Sequence, residues 1–249
     1  MSPTSIYQIP VLQKAIRVLH AVAARSGEST SAGLARDLGI APATSYRIVQ
    51  TFVQTNWLKL RADGRCELGL GLLPVAQGLR QHDLLRQQVV DALNELSEKT
   101  GVTSKVSARQ GDEAVTLMRV NSNQPMALAV QEGAGFHLAL GASGAVFLST
   151  MSDEEVARII KSAPPVCWKY QSPDDVRARR VAASRDGLAA DLGGFRPDVF
   201  GLSVPLLDQD GQVQGALTLT GLIHGTTAKQ LKAMRNLLSR KAAELHRRL

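Results

Sequence analysis

The chain has 249 residues, 44% of them hydrophobic, a composition that gives a globular protein room for two modest domains with real cores. No stretch approaches the roughly 18 uninterrupted apolar residues of a membrane helix, and MSPTSIYQIP lacks the basic-then-apolar order of a secretory signal. Cys66 and Cys167 lie far apart with no metal-binding spacing, so the expectation is a cytoplasmic protein with two free thiols, no metal, no cofactor and no membrane partner.

The net charge of +7 permits a polyanionic partner, and its distribution is informative. Residues 1–75 hold 8 Lys/Arg against 4 Asp/Glu, leaving 21 against 18 in the rest. In chain order, a first helix is predicted over Leu12 to Ala24, with an apolar stripe of Leu12, Ile16, Leu19 and Val22 or Ala23. Ser29, Thr30 and Ser31 offer N-cap oxygens to a second helix that buries Leu34, Ala35 and Leu38 and stops at Gly39. Pro42 suits the first turn of a third helix, running to about Thr55 with Ser45, Ile48, Val49 and Phe52 inward. Strand-like Trp57 to Arg61 and Arg65 to Leu68 flank the tight turn Asp63-Gly64.

The next pattern is helical from Leu72 to Thr100, with Val75, Leu79, Leu84, Leu85, Val89, Leu93 and Leu96 on one side and a Glu95 to Lys99 pair. It reads as a connecting helix. Strands follow at Thr103 to Arg109, Ala114 to Val120 and Met126 to Gln131, then helices near Ser143 to Thr150, Asp153 to Lys161 and Pro173 to Arg185. Leu202 to Leu207 and Val213 to Thr220 are strands around an Asp208–Gly211 turn, and a last helix starts near Thr227. The expected fold class is α+β. Residues 8–72 form a helical unit with a hairpin, 73–100 a connecting helix, and 101–249 a mixed sheet domain with helices on one side that encloses a small molecule.

Two helices joined by a tight turn, the second exposing Pro42, Ala43, Tyr46, Arg47 and Gln50, match the needs of the DNA major groove, which admits one helix. Thr44 can donate to a phosphate, Arg47 can pair with phosphate or guanine, and Gln50 can read an adenine edge. Lys59, Arg61 and Arg65 would lie over the neighbouring backbone as a wing. The competing reading of this region is a helical interaction module with a solvated basic face.

The motif LARDLGI, then Thr44, Tyr46 and Arg47, then Trp57 and CELGLGLL, resembles the winged helix-turn-helix of the isocitrate lyase regulator (IclR) family of bacterial transcription factors. LNELSEKTG, HLALGASGAVFL and VPLLDQDGQVQGALTLTG resemble that family's effector-binding, GAF-like domain. The resemblance implies a regulator, not an enzyme, with a double-stranded DNA operator and a small-molecule effector. Because one winged domain covers only one half-site, a homodimer or homotetramer is expected, while the sequence leaves repression and activation both open. Effector contacts would come from Gly141, Ala142 and Ser143 at a helix start, Asp191, Gly201, and Thr218 and Thr220 on the last strand. Exposed N–H groups at a helix start favour a carboxylate, and hydroxyls two apart on a strand share one face.

The chain departs from the family in that loop. In place of a His-x-Thr-Ala-x-Gly-Lys pattern stand Ala139, Gly141, Ala142, Gly144 and Ala145, and Leu192, Gly193, Gly194 and Phe195 follow Asp191 where glutamates are usual. With no cation expected nearby, the ligand would lean on Phe136, Phe195, Phe200 and Met118 and be an aromatic or apolar acid; alternatively, the ligand has been lost. Ser143 with Asp208 or Asp210 and His224 gives a rival serine-hydrolase order, although Ala145 replaces the second glycine of a nucleophile elbow.

Overall fold

In a computed structural model, the structure describes residues 9–25, 27–77, 83–125 and 128–246, with the side chains of 83–86 excepted. The chain divides into two compact units, residues 1–82 and 83–249. The predicted Leu79 falls outside the described residues, as do Met126 and the side chains of Leu84 and Leu85.

In the first unit α1 (Pro10–Ala24), α2 (Ser31–Leu38) and α3 (Pro42–Gln54) stand with a three-stranded antiparallel sheet in the order β1 (Ser29–Thr30), β3 (Arg65–Leu68), β2 (Leu58–Leu60). Thr30 caps α2 through its side-chain oxygen, which accepts from the Gly33 N–H at 3.1 Å. Gly39 ends α2 in a left-handed conformation. Pro42 opens α3 as expected. The core is Val18, Val22, Leu34, Ile40, Ile48, Val49, Leu58 and Cys66. The α1 stripe needs correction: Leu12 and Ile16 are exposed, and Ala15, Val18, Leu19 and Val22 face inward. Helix α1 is apolar around much of its circumference, so periodicity alone did not fix which face the core takes.

Of the predicted helix over Leu72 to Thr100, residues 78–82 lie outside those the structure describes. A 3-10 turn (Leu70–Leu72) leads into α4 (Leu73–Gln77), where Val75 is exposed, and α5 (Asp83–Thr100) belongs to the second unit. Its Lys99 pairs with Glu95 at 2.7 Å.

The second unit is a six-stranded sheet in the order β6 (Gly135–His137), β5 (Glu113–Val120), β4 (Thr103–Gln110), β9 (Val213–Leu222), β8 (Val199–Leu207), β7 (Ala189–Leu192), and every pairing is antiparallel. Helices cover both faces, not one. Leu93, Leu96, Phe200, Leu202, Leu217, Leu219 and Leu238 join α5 and α9 (Ala228–His246) to one face. On the other, Leu138, Phe147, Leu148, Ile159, Val176 and Ala216 join α6 (Gly141–Leu148), α7 (Asp153–Ser162) and α8 (Pro173–Asp186). Two cores are therefore built on one central sheet, which is why β8 and β9 are almost continuously buried.

Residues 128–131 are not a strand; the edge strand is Gly135–His137 instead, and β7 went unpredicted because both are short. Helix α6 starts at Gly141, whose φ of 69° is left-handed. Its fourth residue is glycine for a steric reason: a Cβ at Gly144 would lie 2.1 Å from the Leu138 carbonyl oxygen. This close approach seats α6 against the sheet.

Candidate functional sites

On α3, Pro42, Ala43, Tyr46 and Arg47 are exposed, whereas Thr44 and Gln50 are half-buried. Tyr46 leaves 58% of its surface exposed beside Arg47. Four of the five residues expected to be exposed are exposed, Gln50 being the exception, and Thr44 and Arg47 lie along the side that borders Val11, Leu12 and Ala15 of α1. The wing cations differ from expectation. Arg61 pairs with Glu67 at 3.2 Å and Arg65 with Asp63 at 3.6 Å, and Lys59 stands opposite Glu67 in the strand register. Arg47 and Lys59 are exposed and in no ion pair among the described residues. Exposed pairs of this kind are worth about 0–1 kcal/mol, so phosphates can compete for the paired arginines.

The second site is a cavity of about 80 Å³ between the start of α6 and the sheet, lined among others by Gly141, Ala142, Ser143, Asp191, Gly201, Thr218 and Thr220. Seven of the eight expected effector residues therefore meet in one place. Phe136, Phe195 and Phe200 also line it, the first two in edge-to-face contact at 5.3 Å.

Met118 is the exception. It packs with Val102 and Val120 against the α5–α9 core, on the other side of the sheet. The cause is an irregularity in the ladder: Val106 pairs with Met118, but Ser107 pairs with Thr116, so Leu117 is an extra residue. Beyond it the in–out alternation inverts, and Met118 loses the face that Ala114 has.

Several predicted roles also change. Asp191 is 4% exposed and already holds Arg179 Nη1 at 3.1 Å and the N–H groups of Gly194 and Phe195, both at 3.0 Å. It fixes the cavity wall and has little capacity left for a ligand. Thr220 donates to the Phe200 carbonyl at 2.9 Å. Ser203 Oγ lies 3.3 Å from the Leu217 carbonyl and 2.8 Å from Thr218 Oγ1; with Ser203 donating to the carbonyl, Thr218 donates to Ser203. A hydroxyl has one proton, so both threonines face the cavity as acceptors. The first N–H groups of α6, by contrast, have no acceptor within the helix.

Sequence reasoning missed Lys105. It is 6% exposed, lines the cavity, and has no hydrogen-bond or ion-pair partner among the described residues. Its Nζ lies 5.2 Å from the Phe136 ring centroid. Burial pushes its pKa down to about 8. The absence of a nearby cation, expected from the loop, is thus corrected: the cation comes from β4. The available signal was alternation, since Lys105 has the same parity as Thr103 and Ser107, which face the same side of a buried strand.

The serine-hydrolase arrangement does not form. Ser143 is buried in α6, His224 pairs with Asp198 at 3.1 Å, and Asp208 holds the backbone of its own β8–β9 turn, at the opposite end of β9 from His224. Among the described residues no cluster of His, Cys, Asp and Glu could hold a metal, and no helix is long and apolar enough to cross a membrane. Cys66 and Cys167 are free and buried, with burial raising both thiol pKa values.

A winged three-helix unit and a sheet domain enclosing a small, partly apolar cavity are the architecture of a regulator of the helix-turn-helix class. Comparison with known proteins gives the family. The IclR helix-turn-helix domain matches residues 11–61 and the bacterial transcriptional regulator IclR C-terminal domain matches 77–247; the chain belongs to the IclR family. It is 26% identical over 160 residues to the probable transcriptional regulator SauR of Cupriavidus necator, covering 61% of this chain and 60% of that one. The HTH-type transcriptional regulator KipR of Bacillus subtilis is 20% identical over 212 residues, 84% of this chain and 85% of that one. Among solved structures, an IclR homologue from Microbacterium hydrocarbonoxydans complexed with 4-hydroxybenzoate has a TM-score of 0.79 at 18% identity, covering 95% of this chain and 97% of that one. A regulator from Alicyclobacillus acidocaldarius has a TM-score of 0.77 at 20% identity, covering 96% and 98%. Both show the fold.

Proposed function

We propose that this chain is a transcriptional repressor that binds a double-stranded operator as a homodimer and is controlled by an aromatic or apolar acid held in the α6 cavity. The observation that carries the DNA half is the exposed face of α3, where Arg47 projects beside Tyr46, Ala43 and Pro42 with no acidic partner among the described residues. Thr44 and Gln50 flank it, and Lys59, Arg61 and Arg65 supply the wing. One winged unit covers one half-site, so a palindrome-like operator with half-sites a helical turn or more apart follows.

A gel-shift titration against the upstream region of the encoding gene tests this. Arg47→Ala is expected to weaken binding by about 1–3 kcal/mol; unchanged affinity removes Arg47 from the role. Light scattering at micromolar concentration tests the dimer, and a monomer with and without DNA defeats it.

The effector half rests on the cavity: aromatic rings at one side, the start of α6 at another. One structural neighbour was solved with 4-hydroxybenzoate, an acid of the proposed kind. Ligand binding is expected to change operator affinity by a coupling of about 1–3 kcal/mol, transmitted through residues 73–100. A thermal-shift screen of small acids tests occupancy, since ligand at 100 times its dissociation constant stabilises by about 2.7 kcal/mol.

A further inference from the structure

The cavity contains a charge that the fold leaves unanswered. Lys105 sits on β4 directly opposite Thr218 of β9, which in turn faces Ser203 of β8, so the three side chains form one row beneath the start of α6. Thr218 and Ser203 satisfy each other. Lys105 has no carboxylate or carbonyl within reach among the described residues, and its ammonium rests over the Phe136 ring.

The surrounding titratable groups offer no compensation. Asp191 of β7 is held by Arg179 of α8 and by two backbone N–H groups. Arg119 of β5, directly across the ladder from Lys105, adds a second cation whose Nε is buried without a partner. Helix α6 carries no titratable side chain, and Thr218 and Thr220 are the neighbours on β9. A buried ammonium beside a guanidinium, facing the positive end of a helix, is an unfavourable arrangement that an anion would relieve.

We propose that Lys105 is the anchor for the effector's anionic group, so that the cavity selects a monocarboxylate whose apolar body packs on Phe136 and Phe195. This assignment rests on the cavity being the effector site. The carboxylate lies between the Lys105 ammonium and the N–H groups of Ala142 and Ser143, the groups there with protons to donate. Thr218 is held in the row by Ser203 and Thr220 by the Phe200 carbonyl, and both accept from any hydroxyl the ligand brings. Because the Lys105 pKa is held near 8, a bound carboxylate makes the protein take up part of a proton at that pH.

Isothermal calorimetry on the full chain at pH 7, with acetate, benzoate and phenylacetate each set against its neutral amide, tests the assignment. The wild type is expected to bind at least one acid ten times or more tighter than the amide. Lys105→Met is expected to reduce that preference to within about twofold. Wild-type heats at pH 8 in buffers of different ionisation enthalpy should show fractional proton uptake per acid bound, a measurement that needs no variant to fold. Retention of the preference by Lys105→Met overturns the proposal, as does the lack of uptake or of any preference for acid over amide. A cavity-filling Ser143→Phe variant separates the two readings. Acids and amides that bind equally, and bind only when position 143 is serine, leave the cavity standing and remove Lys105. Binding unaffected by Ser143→Phe, or no binding at all, removes the cavity reading and this one with it.

Discussion

The two units solve the problem of placing charge in opposite ways. In the winged unit the cations stand at the surface, Arg61 and Arg65 loosely paired with acids on the same hairpin. In the sheet unit Lys105 is buried and Arg179 half-buried, the second matched to Asp191 and the first unmatched among the described residues. Surface pairs exchange partners at a cost of about 1 kcal/mol or less, which suits a face that slides over many phosphates. A buried unmatched charge costs several times more, which suits the selective effector site proposed for the cavity.

The sharpest way to break the sheet unit is at the seat of α6. Gly144→Ala places a Cβ against the Leu138 carbonyl oxygen, a backbone atom that cannot move aside without displacing the strand before it. More than about 4 kcal/mol of that unit's stability should be lost, read as an early urea transition in the variant with the winged unit unaffected. A late, unchanged transition would mean that α6 is not pressed against that carbonyl.

Next in size is Lys105→Met, which should stabilise the ligand-free protein. The folded pKa of about 8 lies below the ordinary lysine value of 10.5, so the unfolded chain binds the proton more tightly. Below pH 8 the lysine is charged in both states and the full penalty, about 3 kcal/mol, is present. The penalty fades as pH rises from about 8 towards 10.5, where both states lose the proton. Urea unfolding at pH 7 and pH 10 checks the sign: the variant's advantage should be large at pH 7 and cut to about a quarter at pH 10. A destabilised variant at pH 7 would show that Lys105 has a partner after all.

The smallest effect belongs to the wing. Glu67→Gln frees Arg61 and removes the acid opposite Lys59, so operator affinity should rise by about 1 kcal/mol or less and its salt dependence should steepen. Folding stability should barely change. Gel shifts at two salt concentrations measure it, and weaker binding by the variant would place the wing away from the phosphates.

The winged unit was legible residue by residue. Thr30, Gly39 and Pro42 punctuate α2 and α3, and the exposed face of α3 follows from one helical period. The α1 stripe was misread because Leu12 and Ile16 are as apolar as Val18 and Val22, and only the position of α2 and α3 decides which of them the core receives; the half-burial of Gln50 and the acids paired with Arg61 and Arg65 likewise lie outside what one helical period shows.

In the sheet unit the strand pair β8–β9 and the loop at α6 could be read, and with them seven cavity residues. Their neighbours could not. Lys105 precedes Thr218 by more than a hundred residues and meets it through β4–β9 pairing, a long-range register that no local pattern encodes. Met118 was misplaced by one extra residue at Leu117, since a bulge inverts every later side chain while leaving the alternation of the sequence intact. The sequence by itself determined the family, the helix boundaries of the winged unit and the chemistry offered on α3, because these depend on neighbours within a few residues. Tertiary structure alone decided the face of each strand, the commitment of the Thr218 and Thr220 protons, and the presence of a cation in the cavity, because these depend on which distant strands lie side by side.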